Sequence, residues 1–221
     1  MKDVDVVFEQ GKGRTFVVCV EGDTTVVLPL CQHLAQTARC LLLRVQGVRS
    51  NEELEIRIHS IFDALAERNV RQFSCIGFQD ACVAVQRLAL QEPKRIRTLI
   101  LIDAVTRPHP TALERVFDWM ESHLPLGLPF RVRSKGAHFK PFLQRLRCPV
   151  LVVRTNQESP YRESESRVLL EALPTSWAIR WSSYPDPQGI LQEIEDFQDV
   201  PVKCPQKNLR KQMTAEVIGS A

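Results

Sequence analysis

Phe73-Ser74-Cys75-Ile76-Gly77-Phe78-Gln79-Asp80-Ala81 opens as a strand over Phe73 to Ile76, turns, and enters a helix that runs from about Asp80 to Gln91. The phrase that follows, Pro93 to Asp103, carries the unbroken apolar run Leu99-Ile100-Leu101-Ile102. A strand with one wet face alternates polar and apolar residues. A strand without alternation is covered on both faces, as in a parallel sheet flanked by helices. Val150-Leu151-Val152-Val153 reads the same way. Strand, helix, strand is therefore the repeating unit, and it predicts an open, doubly wound, mostly parallel α/β sheet.

Working outward, the strand candidates are Asp5 to Phe8, Thr15 to Val20, Cys40 to Val45, Phe73 to Ile76, Thr98 to Ile102, Pro149 to Val153 and Trp177 to Trp181, about seven in all. The first alternates more than the others and is expected at an antiparallel edge. Ser50-Asn51-Glu52-Glu53 has the form of a capping box, and Leu54, Ile58, Ile61, Phe62 and Leu65 follow at helical spacing. Further helices are expected from near Pro29, with Asp23, Thr24 and Thr25 as its caps, from Ser164 to Leu173 and from Gln188 to Phe197. Gly11-Lys12-Gly13 matches neither a P-loop nor a dinucleotide fingerprint and reads as a hairpin turn.

Residues 105–147 interrupt the alternation with five prolines around an expected helix from Thr111 to His123, and they read as a small cap insertion. Residues 1–200 form one domain in this reading. Residues 201–221 lose apolar periodicity, gain Lys203, Lys207, Arg210 and Lys211, and read as a flexible tail.

Composition narrows the function classes. The 221 residues are 44% hydrophobic and 25% charged, an ordinary globular balance. A net charge of +3, with no basic patch interleaved with aromatic residues, gives no reason to expect nucleic acid. Apolar stretches are too short to span a membrane and no leader pattern opens the chain, so a cytoplasmic protein is expected. The seven cysteines are odd in number and never spaced CxxC, which suggests a reducing compartment and no zinc site.

From about Thr15 to Phe197 the chain resembles the α/β-hydrolase superfamily in element order and in four phrases. Val17-Val18-Cys19-Val20-Glu21-Gly22 is similar to the strand that leads into the family's oxyanion loop. Phe73 to Ala81 is similar to the nucleophile elbow, with Pro93 to Asp103 after it. Cys148-Pro149-Val150-Leu151-Val152-Val153 resembles the strand before the catalytic acid, and Tyr184-Pro185-Asp186-Pro187 stands where a histidine precedes the last helix.

An elbow holds its nucleophile in a strained turn with small residues two positions to either side. Gly77 and Ala81 fit that frame, so the resemblance puts Gln79, a carboxamide, at the nucleophile position; a frame centred on Asp80 would put Phe78 and Cys82 at the small positions. Glu158 matches the acid, and Tyr184 occupies the turn that would hold the base. None of His33, His59, His109, His123 and His138 falls in that turn. The resemblance thus implies a degenerate member that binds a small molecule or a protein partner at Glu21, Gly22, Asp23, Phe78, Gln79, Asp80 and Asp103. The alternative is an esterase-like or thioesterase-like hydrolase with a nonstandard residue such as Asp80 or Cys82. Asp23 and Asp80 also suit helix N-terminal caps. A metal site from Glu21, Asp80, Asp103 and Glu158 has no spacing signature, and no cofactor is expected. Arg131, Arg133, Lys135, Lys140, Arg145 and Arg147 fall within seventeen residues without one acid. Within this run, Arg131, Arg133 and Lys135 are the candidate anion-binding residues of the cap.

Overall fold

The computed structural model describes residues 4–48, 50–105, 140–155 and 160–198. Seven strands form one sheet: β1 (Val4–Gln10), β2 (Thr15–Glu21), β3 (Arg39–Val45), β4 (Phe73–Phe78), β5 (Ile96–Ile102), β6 (Val150–Thr155) and β7 (Ser176–Trp181). Their spatial order is β1-β3-β2-β4-β5-β6-β7. β1 pairs antiparallel with β3 at one edge, and every other neighbouring pair is parallel. The helices are α1 (Leu28–Thr37), α2 (Asn51–Glu67), α3 (Ala81–Gln91), α4 (Pro160–Ala172) and α5 (Gln188–Gln198).

The unbroken apolar runs have the expected cause. Along β5, Leu99 and Leu101 enter one core while Ile100 and Ile102 enter the other, and Val150/Val152 and Leu151/Val153 divide in the same way along β6. The first core packs α2, α3 and α4 against the sheet; the second packs α1 and α5. Each fully buried Leu or Ile in these layers contributes roughly 1.5–3 kcal/mol from apolar burial.

Local signals explain both ends of α2. Ser50 caps α2 by accepting the Glu53 N–H at 3.1 Å. At the other end Asn69 takes the left-handed conformation (φ 54°), while the Asn69 and Val70 N–H groups donate to Ala66 O and Leu65 O. At the β1 edge, Glu9 receives Arg39 at 2.6 Å and Arg68 at 3.0 Å. The hydrogen bond from Arg39, followed by the charges of both guanidinium groups, holds its carboxyl below the usual range.

Three expectations are corrected. Gly11 and Gly13 do not close a hairpin, because β1 pairs with β3 and the chain steps past that strand to reach β2. Gly11 adopts φ 85° against Ala38, where a Cβ would collide with a backbone carbonyl. Neither proposed aspartate caps its helix. The cap position of α1 is Val27, four residues beyond Asp23. Asp80 holds the cap position of α3, but its backbone is helical (φ −68°, ψ −27°) where a capping residue is extended, and it makes no cap hydrogen bond. Finally, α4 starts at Pro160 rather than Ser164; proline at the first helical turn sacrifices no hydrogen bond.

Of the insertion expected at 105–147, residues 106–139 lie outside the described residues, as does 201–221. Residues 140–145 form a 3-10 turn, and Leu143 and Leu146 are buried in the first core. No described helix is long and apolar enough to cross a membrane.

Candidate functional site

Topology locates the site before any side chain does. β2 and β4 are neighbours, yet the chain leaves β2 for α1 on one face and β4 for α3 on the other. The two loops diverge at the C-terminal strand ends, and it is in the crevice beside such a divergence that doubly wound sheets bind ligands.

Backbone strain collects at the same place. Gly22 after β2, Gln79 after β4 and Asp103 after β5 have φ of 80°, 51° and 47°. A non-glycine residue held in this region costs of order 1–3 kcal/mol and survives only where the surroundings enforce it. Here the Gln79 N–H donates to Ile102 O at 2.8 Å and the Asp103 N–H to Val153 O at 2.9 Å, so each strained residue is tied to the next strand.

Gln79 stands at the tip of the turn between β4 and α3, and the helical backbone of Asp80 places the tip at 79 rather than 80. A Cβ added at Gly77 would lie 3.0 Å from Cys82 Cα, 3.1 Å from Cys82 Sγ and 3.2 Å from a Val85 methyl, so the position before the turn admits no side chain without movement of α3. Ala81 is buried on the other side, and Phe78 is a core residue of the second layer.

Carboxylates flank the tip. Glu21 ends β2 and lays its carboxylate over Gly47, in the loop after β3. Partial desolvation there, and secondly the like charge of Asp80, raise its pKa above the ordinary carboxyl value. Asp23 lies in the β2–α1 loop, where it accepts the Thr25 N–H at 2.9 Å and the Thr25 hydroxyl at 2.8 Å. These two bonds lower its pKa.

Asp103 behaves differently. It is buried, with Oδ1 accepting the Thr155 N–H at 2.8 Å and Oδ2 accepting the Thr155 hydroxyl at 2.7 Å. It clamps the ends of β5 and β6, a role the sequence reading missed. An acid closing one apolar strand and a threonine closing the next was the available signal, but their register is a tertiary fact. Gln86 was also missed: it is fully buried on α3 and donates to Val105 O at 2.9 Å, holding the chain just after β5.

Tyr184 lies in the β7–α5 loop and packs edge-on to Trp181, with ring centroids 4.8 Å apart. His33 and His59 donate from Nδ1 to Pro29 O and Glu55 O, each within its own helix. Glu158, His109, His123, His138, Arg131, Arg133 and Lys135 lie outside the described residues. Among the described residues no group of three or more His, Cys, Asp or Glu side chains is arranged to hold a metal ion.

No family profile matches the sequence, and no curated protein resembles it in sequence. Solved structures do resemble it in fold. A thermophilic esterase from Thermogutta terrifontis superposes with a TM-score of 0.67 at 14% identity, covering 88% of this chain and 92% of the esterase. The enol-lactonase of Burkholderia xenovorans gives 0.65 at 13% identity, covering 88% and 95%. An enzyme described as degrading N-acyl homoserine lactones gives 0.63 at 14% identity, covering 88% and 95%. With seven strands in this order, helices on both faces and an elbow after β4, the chain has the fold of the α/β-hydrolase superfamily.

Proposed function

We propose that this protein is a non-catalytic protein of the α/β-hydrolase fold that binds a small molecule or a protein partner through its strand-end face or the insertion beside it. The carrying observation is the chemistry at the elbow tip. The strained position that would present a nucleophile holds the carboxamide of Gln79, with Glu21 and Asp80 beside it. Acyl transfer develops negative charge at this point, and loss of even one oxyanion donor costs roughly 3–4 kcal/mol. Added carboxylates oppose that charge further.

The alternative is an ester or thioester hydrolase with a nonstandard nucleophile. Asp80 sits one residue past the tip. Cys82 is fully buried, with Sγ directed to Ile102 O at 3.7 Å, which keeps it from contact with a substrate at the strand ends. A fluorophosphonate probe and a panel of short acyl esters and thioesters separate the readings: no labelling and no turnover are expected. The Gln79→Ser variant is also expected to stay at background, since a hydroxyl without a base is not activated. Appreciable turnover by the parent would sink the non-catalytic reading, whereas turnover by the variant alone would mean that a histidine such as His109 or His138 already reaches the site.

In the same reading Arg131, Arg133 and Lys135 attract an anionic ligand or acidic partner surface. Replacing all three by glutamine is expected to weaken binding of such a ligand, and rising salt to weaken it in the parent, as the Debye length falls from about 10 Å at 0.1 M to about 3 Å at 1 M. A physiological ligand bound equally by both proteins at every salt concentration removes this patch from the reading.

A further inference from the structure

A separate cleft lies between the β2–α1 and β7–α5 loops, lined by residues other than those of the elbow. It encloses about 500 Å³ and is open to solvent along one side. Val26 and Pro29 form one wall, and Pro185 and Pro187 the other. Val26 is 38% exposed, one of the few large apolar side chains the described surface leaves open. Among the described residues Asp186 is the one charged group that lines the cleft, and Asp23 is hydrogen-bonded to the lining residue Thr25.

We propose that this cleft receives a basic side chain, an arginine or lysine presented by a protein partner, with its aliphatic stem against the prolines and its cation toward Asp23 and Asp186. The proposal rests on the reading of this end of the sheet as a binding surface and names the partner's chemistry. Proline and valine walls suit a methylene stem whose charged head stays hydrated at the rim. The openness favours a protein over a free amine: sites for small molecules bury most of the ligand, whereas this cleft covers one side of its guest and leaves the rest to be held elsewhere on a larger partner. Both carboxylates already serve the loops, Asp23 through Thr25 and Asp186 by accepting the Gln188 N–H at 3.1 Å, so they are in place without reorganisation.

Those loop bonds also supply a clean test. Asparagine removes the charge and keeps one acceptor oxygen at each position for the Thr25 and Gln188 N–H groups, and at 23 its amide can donate to the Thr25 hydroxyl in place of the second bond, so the D23N/D186N protein should stay folded. Trp181 reports on the site, because its indole N–H donates to Asp186 O at 2.9 Å. The full chain is titrated with a blocked Gly-Leu-Arg-Leu-Arg-Gly peptide, its citrulline twin and its glutamate twin, following the Val26 methyl and Trp181 indole resonances. The arginine peptide is expected to shift both signals and to bind roughly tenfold more tightly than the citrulline peptide at 0.1 M salt. The double variant should lose that difference while keeping its indole resonance and unfolding midpoint. No shift at millimolar peptide, equal binding of arginine and citrulline peptides, preference for glutamate, or an unaffected double variant each overturns the proposal. A free alkylammonium that matches the arginine peptide in affinity overturns the choice of a protein partner. Ester turnover by the parent protein would instead overturn the non-catalytic reading, so the two failures are distinguishable.

Discussion

Asp103→Ala should lower the unfolding free energy by about 3 kcal/mol, the largest effect expected of any single polar substitution among the described residues. The carboxylate accepts two hydrogen bonds from Thr155 across the ends of β5 and β6, and both residues are buried. Bonds to a charged acceptor are the stronger kind, and a buried donor deprived of its acceptor keeps its desolvation penalty. A loss of this size lowers the melting temperature of a chain this long by roughly 6–12 °C. Asp103→Asn should lose less, since asparagine retains one acceptor oxygen and tolerates the left-handed backbone. Asp103→Gly should fall below the parent but about 1 kcal/mol above alanine, because it relieves the φ of 47° while losing the same bonds. Urea unfolding with an unchanged slope measures all three. An alanine variant within 1 kcal/mol of the parent, or a glycine variant below alanine, contradicts the clamp.

Gly77→Val should cost about 3 kcal/mol, and Gly77→Ala about 1–2 kcal/mol, through overpacking rather than a lost bond. The nearest obstacle to a new Cβ is the Cα of Cys82, a backbone atom that moves only if the start of α3 moves with it. The next nearest is Cys82 Sγ, a contact that truncation removes. Gly77→Ala combined with Cys82→Ala should therefore cost about 0.5–1 kcal/mol less than the sum of the two single changes. Displacement of α3 should also loosen the elbow. Hydrogen exchange at the Gln79 amide, which donates to Ile102 O, should quicken in both Gly77 variants more than at amides in β2. Unchanged stability in Gly77→Val would mean that the tight frame around Gln79 is not a steric requirement.

The arrangement of the fold was legible because it rests on local, periodic signals. All seven strands lie within two residues of the runs that announced them, and the antiparallel edge fell to the most alternating run. Two-sided burial requires continuous apolar sequence, which is visible without coordinates. The elbow was legible for a related reason: Gly77 and Ala81, two positions to either side of Gln79, are a steric requirement written in residue size.

What tertiary structure alone decided concerns polar side chains. Asp23 and Asp80 have cap-like positions in sequence, but capping depends on the backbone angle of the cap residue, and the paths of the loops after β2 and β4 direct both elsewhere. Asp103 looked like a candidate for the crevice, yet Thr155, fifty-two residues later, takes both its oxygens. Gly11-Lys12-Gly13 has hairpin residues without a hairpin, since strand order is set by which apolar faces pack together and not by the turn. Hydrophobic period and residue size act over a few residues and leave their mark in the chain itself. A hydrogen-bond partner or a neighbouring charge is brought in by the fold from dozens of residues away, and its identity exists only once the strands are in register.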